Sequence, residues 1–350
     1  MAKYDYKGVI HCHSTYSDGT GSMEEIAKAA NEVGLDFVMM TDHDQMKPVH
    51  DGVEKWYDSA LIICGTEITP PTNHYIAFGD KPLKDVEKLK ALPPQEIINA
   101  VGAQDWFGFI AHPDHLGTRK FEIPSYRWDA WDATGYTGMG IWDLMTDWQA
   151  QLDRDDLSME MYTEFEDWLT GPRIETLKRW DELNAKRKVV GIGEIDNHRY
   201  RKEYNGQTLE IFPYETAFKT ICNHVLLDEP LEKDYKKAKK QILKAVRHGS
   251  LYISFDWWDD PTEFSFEIDN GEKVAGMGDE ITLGEKTELV ATFPQEGLLN
   301  VYCNGQSVLE EEGDEILLDI SEPGTYRVEA MRNDIVWILS NAIYVKAPQA

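Results

Sequence analysis

Imidazole and carboxylate side chains recur where the β-strands predicted from this sequence end. Of the ten histidines, six lie at or near such an end, and four carboxylates occupy comparable positions. These residues are His11, His13, His43, His74, His112 and His198, with Asp18, Asp42, Glu67 and Asp196. Ligands and metal ions collect at the carboxyl ends of strands in α/β sheets and barrels, so we expect these residues to meet at one rim. A set of histidines and carboxylates without thiolate suits zinc, manganese or iron, so the pattern predicts a metal centre.

Each motif also has a simpler explanation when it is taken alone. His11 and His13 are two residues apart after a strand, so both imidazoles can reach one metal ion while the residue between them points away. Asp42 could cap a turn, Glu67 could be a solvated charge, and His112 could be a hydrogen-bonded structural histidine. Independent roles of this kind would not repeatedly place histidine or carboxylate at strand ends, so their joint occurrence favours one shared site.

The first 255 residues alternate short apolar runs with longer amphipathic segments. Strands are predicted at 7–11, 37–40, 61–64, 75–78, 109–111, 189–192 and 251–255, and helices at 22–33, 94–103, 174–186 and 231–247. Ser22 and Glu25 form a capping box at the start of the first helix. Strand–helix alternation predicts a mainly parallel sheet, either open or closed into a barrel.

The helical periodicity stops at about Asp259. Short β-type runs follow at 288–293, 299–303, 325–330 and 336–345, separated by turn signals such as Asn304-Gly305 and Pro323-Gly324. Regular short strands with such turns are typical of a small β-sandwich. We therefore predict two domains, residues 1–257 and residues 258–350.

Residues 116 to about 170 break the rhythm of the first domain. They contain Trp128, Trp131, Trp142, Trp148 and Trp168 among many acidic residues. We interpret the segment as an insertion that forms one wall of a substrate pocket. A tryptophan-rich packing layer explains the same composition equally well, because tryptophan anchors cores as readily as pockets.

The charge of the chain argues against several classes of partner. With 63 acidic and 35 basic residues the formal charge is -28. Such a surface repels phosphate backbones and anionic membranes, so we expect neither long nucleic acid nor a membrane as a partner. No apolar run approaches the roughly 20 residues of a membrane-spanning helix. A polar N-terminus and scattered cysteines predict a cytoplasmic protein, and a homo-oligomer stays open.

The motifs follow one another in a specific order. They read His11-x-His13-Ser-x-x-Ser17-Asp18-Gly19, Thr41-Asp42-His43, Gly65-x-Glu67, Ala111-His112-Pro113 and Asp196-x-His198. As a set they resemble the motifs of the polymerase-and-histidinol-phosphatase (PHP) superfamily, over roughly residues 6–255. The resemblance implies a distorted (β/α)7 barrel of the PHP type with two or three divalent metal ions and phosphoesterase activity. The C-terminal residues more loosely resemble a β-domain that follows some PHP domains.

The resemblance also implies the metal ligands. One metal ion would be held by His11, His13, Glu67 and Asp196. A second, bridged by Glu67, would be held by His112 and His74. A third would be held by Asp18, His43 and His198. Many relatives have histidine where Asp18 stands, so this position departs from the family pattern.

The implied chemistry is hydrolysis of a phosphate ester by a hydroxide that bridges two metal ions. Asp18 and His43 are the candidate catalytic residues, and either Asp18 or a bound water would protonate the leaving group. Arg119 and Arg199 flank the motifs and are candidates for substrate binding, although surface ion pairs would also explain them. The expected substrate is a small phosphomonoester or a nucleotide-like molecule. The alternatives are an exonuclease on short oligonucleotides, an amide or lactone hydrolase, and a binding module with a vestigial cluster.

Overall fold

The computed structural model describes residues 3–155, 158–204 and 206–348, and its secondary structure is mixed α/β. The strands before residue 256 are β1 (Tyr4–Cys12), β2 (Phe37–Met40), β3 (Trp56–Tyr57), β4 (Ala60–Cys64), β5 (Thr66–Ile68), β6 (Tyr75–Phe78), β7 (Phe107–Ile110), β8 (Gly138–Asp143), β9 (Val190–Glu194), β10 (Tyr200–Tyr204), β11 (Gln207–Ile211), β12 (Ile221–Leu227) and β13 (Leu251–Phe255). The helices are α1 (Met23–Glu32), α2 (Lys47–His50), α3 (Val86–Leu89), α4 (Pro94–Gly102), α5 (Leu144–Gln149), α6 (Glu160–Thr163), α7 (Ile174–Asn184), α8 (Tyr214–Ala217) and α9 (Tyr235–His248), with a 3-10 turn at Phe165–Trp168.

The strands after residue 256 form long hairpins. They are β14 (Ser265–Asp269), β15 (Val274–Gly276), β16 (Glu280–Thr282), β17 (Glu288–Cys303), β18 (Gln306–Asp319), β19 (Gly324–Arg332), β20 (Ile335–Ser340) and β21 (Ile343–Lys346). The turn predicted at Asn304-Gly305 joins β17 to β18, which pair in antiparallel fashion. The predicted runs 288–293 and 299–303 are parts of the single strand β17.

Local sequence explains the bounds of the main helices. Ser22 accepts a hydrogen bond from the backbone of Glu25, whose carboxylate accepts one in return from the backbone of Ser22, so α1 begins with the predicted capping box. Asp234 caps α9, which therefore begins several residues later than the sequence predicts. Gly249 ends α9 with a φ of 87°, a left-handed conformation that glycine adopts without strain.

The strands that carry the site belong to two sheets. In the larger sheet β1 pairs with β2, and β2 with β4, in parallel, while β1 pairs with β12 in antiparallel fashion. In the smaller sheet, β5–β6 and β6–β7 are antiparallel, and β7–β8 and β8–β9 are parallel. The expectation of a mainly parallel sheet is therefore wrong, and both sheets are mixed. The connection from β5 to β6 is too short for the crossover that parallel neighbours need.

The two sheets approach each other at both margins. On one side the chain passes from β4 to β5 through Gly65, where a Cβ atom would lie 2.4 Å from the carbonyl oxygen of Ala77. On the other side the N–H of Ile195 donates to the carbonyl of Ile10, and the N–H of His13 donates to that of Asn197. Among the described residues these contacts do not complete one continuous ladder, so the predicted closed barrel is not confirmed.

The C-terminal strands continue the larger sheet rather than standing apart from it. Strand β20 pairs with β13 in antiparallel register, and the sheet runs on through β19, β17 and β14. A second hydrophobic cluster fills this part of the molecule, built around side chains such as Phe266, Leu289 and Trp337. The predicted β-sandwich is not confirmed, and the division at residues 257 and 258 stays a prediction. No helix among the described residues has the length and apolar composition needed to cross a bilayer.

Candidate metal centre

The end of β1 carries the first two histidines of the site. His11 has a φ of 73°, which is a strained conformation for a residue with a Cβ atom, and the register between β1 and β2 shifts after Ile10. The imidazoles of His11 and His13 are fully buried, and both point toward the carboxylates of Glu67 and Asp196. The shared direction matches the sequence expectation, although it comes from an irregular strand end rather than from simple alternation.

Glu67, in strand β5, is the centre of the histidine cluster. Its carboxylate is 1% exposed. Oxygen Oε1 lies 2.8 Å from His74 Nδ1 and 3.2 Å from His112 Nε2. Oxygen Oε2 faces the other way, 3.2 Å from His11 Nε2 and 3.0 Å from His43 Nδ1. The two oxygens therefore face two different sets of nitrogens, which is what a bridging ligand requires.

Three groups of residues have ligand atoms close enough to share a metal ion. Within each group these atoms lie within 4.8 Å of one another. The groups are His11, His13, Glu67 and Asp196; then Glu67, His74 and His112; and then His13, Asp18, His43 and His198. The structure thus brings together all nine ligands proposed from the sequence, in the predicted groupings, and adds His13 to the third.

The chemistry of these atoms fits divalent cations. His11 Nε2, His13 Nε2, His43 Nδ1 and Asp196 Oδ1 are buried and have no hydrogen-bond partner among the residues that the structure describes. Buried polar atoms in proteins are usually paired, so the convergence of these four atoms indicates that they are suited to bind a positive ion together. Imidazole nitrogen and carboxylate oxygen are ligands of zinc, manganese and iron.

Electrostatics favour the coordinating protonation state at some ligands and oppose it at others. Burial alone would lower the pKa values of four of the histidines, but contacts with the carboxylates of the cluster raise them and favour protonated rings; these are His11, His43, His112 and His198. Burial, together with the neighbouring imidazoles of His198 and His43, lowers the pKa of His13 to about 3, so this ring is neutral. Burial alone would raise the pKa of Glu67, but contacts with His11 and His74 lower it well below its usual range. A neutral imidazole and an ionised carboxylate are the forms that coordinate a cation.

Two buried carboxylates support the ligands without belonging to the three groups. Glu194, the last residue of β9, accepts a hydrogen bond from the backbone N–H of His112 at 2.8 Å and lies 2.9 Å from His11 Nδ1. Asp42 accepts hydrogen bonds from Ser14 and Ser17 and so holds the loop that carries Asp18. Glu194 was not among the residues predicted for the site, although its place at a strand end close to Asp196 could have indicated it.

The predicted catalytic residues lie at the open side of the cluster. Asp18 is 60% exposed, and its Oδ1 lies 3.2 Å from His43 Nε2 and 3.3 Å from His198 Nε2. Burial opposes ionisation of Asp18, but the hydrogen bonds from His198 and His43 hold its pKa well below the usual range.

The two candidate arginines are placed differently. The guanidinium group of Arg199 donates to the carbonyl of Thr20 and contacts Glu25, and it lies over the ring of Tyr214. Arg119 lines a separate cleft, and its backbone N–H donates to Asp153. Neither arginine lines the cleft that adjoins the metal ligands.

That cleft has a volume of about 480 Å³ and includes Asp18, Asp196 and His198 in its lining. The predicted insertion contributes much of its remaining wall, including Phe121, Ile123 and Trp148, but most of its tryptophans do not take part. Trp128 and Trp142 are buried in the core, and Trp131 and Trp168 pack against it. Trp148 thus lines the cleft, the other four tryptophans belong to a packing layer, and the role of the insertion as a substrate-pocket wall stays a prediction.

Comparison with known proteins identifies the N-terminal part of the chain. Residues 10–124 match the family model of the PHP domain. Residues 10–124 are therefore similar to the PHP domain, in agreement with the resemblance that the order of the motifs indicates. The match ends before Asp196 and His198, which the tertiary structure brings to the same cluster.

Among curated proteins, the DNA polymerase/3'-5' exonuclease PolX of Bacillus subtilis is 43% identical over 47 residues. The match covers 13% of this chain and 8% of that protein, so it spans only a small part of either.

Two solved structures show weaker likenesses. One is a two-domain protein from Bacteroides vulgatus that contains a predicted PHP-like metal-dependent phosphoesterase. It is 16% identical, the alignment covers 97% of this chain and 95% of that chain, and the TM-score is 0.45. The other, from Bifidobacterium adolescentis, is named a metal-dependent phosphoesterase, with 17% identity, coverage of 57% and 88%, and a TM-score of 0.39. Both TM-scores are too low to bear on the fold or the function of this chain.

Proposed function

We propose that this protein is a metal-dependent hydrolase of phosphate esters that acts on a small phosphomonoester or a nucleotide-like substrate. The observation that carries the proposal is the connected set of three ligand groups, in which Glu67 is common to two groups and His13 joins one of these to the third. Two or three cations of zinc, manganese or iron would be held there by nine residues of a kind that suits them. When bound, such cations give positive charge to phosphoryl oxygens and lower the pKa of a water molecule toward ~7.

The residues of the chain have distinct parts in this reaction. Glu67 joins two ligand groups through its two oxygens and so fixes their separation. Asp18 is the exposed member of the cluster and lines the adjoining cleft. Because its pKa lies well below the usual range, Asp18 is ionised and would not itself supply a proton, so a bound water would protonate the departing alcohol and Asp18 would orient that water. His43, at 3.2 Å, orients the Asp18 carboxylate. This arrangement supports the catalytic assignment of Asp18 and His43.

The overall charge favours a small substrate. At a formal charge of -28 the surface repels a long phosphate chain, whereas one phosphate group needs positive charge only at the cluster itself. A nuclease on short oligonucleotides and an amide or lactone hydrolase are the rival functions.

The test is phosphate release by the full chain from a panel of phosphomonoesters, with and without added zinc, manganese or iron. We expect release that depends on the metal and is abolished in Glu67→Gln. Glu311→Gln on the exposed strand β18 is the matched control and should keep full activity. Absence of metal-dependent release from every ester would contradict the proposal. Cleavage of oligonucleotides or carbonyl substrates alone would favour a rival function.

A further inference from the structure

The cleft beside the ligand groups places a constraint on the rest of the substrate. Asp18, Asp196 and His198 line one part of it, so it is continuous with the candidate metal centre. A phosphate group held at the ligands would therefore direct the organic group that carries it into this cleft. The volume of about 480 Å³ is in the range of pockets that bind small organic molecules.

The wall of the cleft beyond the ligands is largely apolar. It is formed by side chains that include Phe121, Ile123, Trp148, Met161, Leu209 and Ile211. Trp148 and Met161 are buried, and the Trp148 indole N–H donates to the carbonyl of Met161. The ring of Phe212 packs edge-on against Trp148 with 5.0 Å between ring centroids. The wall is thus a packed surface backed by the hydrophobic core.

Polar side chains also line the cleft, among them Tyr126, Tyr162 and Tyr200, and some of the lining groups are paired within the protein. His115 Nε2 and Gln149 Oε1 lie 2.9 Å apart. Lys202 is the one lysine or arginine that lines the cleft within the described part of the chain, and it is exposed. Against the apolar side chains of the wall, a sugar, a second phosphate or a carboxylate would lose water without gaining hydrogen bonds.

From this combination we infer that the preferred substrates carry phosphate on an apolar organic group, about the size of one or two rings, which occupies the cleft. The inference rests on the proposed phosphoesterase function and narrows its substrate class. Sugar phosphates and nucleotides are disfavoured because their hydroxyl and base edges lose water without gaining hydrogen bonds.

The experiment compares two esters that have the same reacting bond. Cyclohexylmethyl phosphate and glucose 6-phosphate are both phosphates of a primary alcohol next to a six-membered ring, so they differ mainly in polarity. For the metal-loaded full chain we expect kcat/KM to be higher for the cyclohexylmethyl ester by about tenfold or more, the scale of apolar discrimination in a pocket. Adenosine 5'-monophosphate provides the nucleotide comparison.

A variant locates the preference in the cleft. Leu209→Asn replaces two methyl groups by amide atoms and keeps the branching of the side chain, on the half-buried strand β11. It should reduce the preference about tenfold, mainly through KM. Leu317→Asn, at a side chain that is 59% exposed on β18, is the matched control and should leave the preference unchanged. Unchanged melting temperatures for both variants would show that folding is intact.

The outcomes separate the two proposals. Metal-dependent release with equal or better turnover of glucose 6-phosphate or the nucleotide overturns the inference while leaving the proposed function standing. An apolar preference that survives unchanged in Leu209→Asn also overturns it. No release from any ester overturns the proposed function, and the inference with it.

Discussion

Replacing Glu194 with glutamine should weaken metal binding even though Glu194 is in none of the three ligand groups. Its carboxylate is fully buried, and its two oxygens face His11 Nδ1 at 2.9 Å and the backbone N–H of His112 at 2.8 Å. Glutamine keeps the shape, but its NH2 group must face one of these N–H donors. One buried hydrogen bond is lost, at a cost of about 1–3 kcal/mol.

The same magnitude follows from the behaviour of metal sites in general. A carboxylate that orients a ligating histidine is worth about 10–100-fold in metal affinity, which corresponds to about 1.4–2.7 kcal/mol. We therefore expect the dissociation constant for zinc or manganese to rise by this factor in Glu194→Gln. Competition with a chelating dye of known affinity measures it, and circular dichroism of the metal-free protein checks the fold.

A second variant reaches Glu194 from the neighbouring strand. Gly140, in β8, leaves the space that the carboxylate fills, because a Cβ atom there would lie 1.5 Å from Glu194 Oε2. Gly140→Ala should displace the carboxylate and weaken metal binding in the same direction. Gly102→Ala is the control, since a Cβ atom at that position meets nothing within 4 Å. Metal affinity in Glu194→Gln equal to that of the unaltered protein would refute the reasoning.

Three further predictions concern stability. Removing bound metal with a chelator should lower the melting temperature, and restoring zinc or manganese should recover it. The reason is that a ligand present at 100 times its Kd stabilises the folded protein by about 2.7 kcal/mol. An unchanged melting temperature would argue against a metal centre. Burial alone would lower the pKa of His224, but its contacts with Asp256 and Asp5 raise it to about 9. The stabilising effect of His224 is thus complete below its unfolded pKa of about 6.5 and is lost as pH rises through about 9. Urea unfolding of His224→Gln should therefore show a free energy of unfolding lower by on the order of 3 kcal/mol at pH 6, and this difference from the unaltered protein should shrink by pH 10. A deficit that does not vary with pH would contradict this assignment. Arg327 is buried and bonds both carboxylate oxygens of Asp181 at 2.8 Å, so Arg327→Met should lower the free energy of unfolding by about 3–5 kcal/mol, and Arg327→Met combined with Asp181→Asn should recover part of it. Urea denaturation of the single and double variants checks this, and additive losses would count against it.

The residues of the metal centre could be predicted because the type of each side chain and its place at the end of a strand can be read from neighbouring residues. Histidine and carboxylate at successive strand ends identify His11, Glu67 and His112 without knowledge of the sheets, since the carboxyl ends of strands lie together in α/β folds. Glu194 could not be predicted in the same way, because its role depends on the groups that its two oxygens contact. These partners, His112 and His11, are 82 and 183 residues away along the chain.

The sequence by itself determined which side chains could bind metal, where the four longest helices and many of the strands lie, and that the N-terminal part carries the PHP motifs. Only the tertiary structure decided how the strands pair, that the C-terminal strands extend the larger sheet through β13 and β20, and that Arg199 is engaged by Thr20 and Glu25. It also decided the apolar character of the cleft. The physical reason is the distance along the chain over which each property is determined. Ligand type and strand periodicity are properties of neighbouring residues, whereas strand pairing and pocket walls depend on free-energy differences among contacts between distant segments.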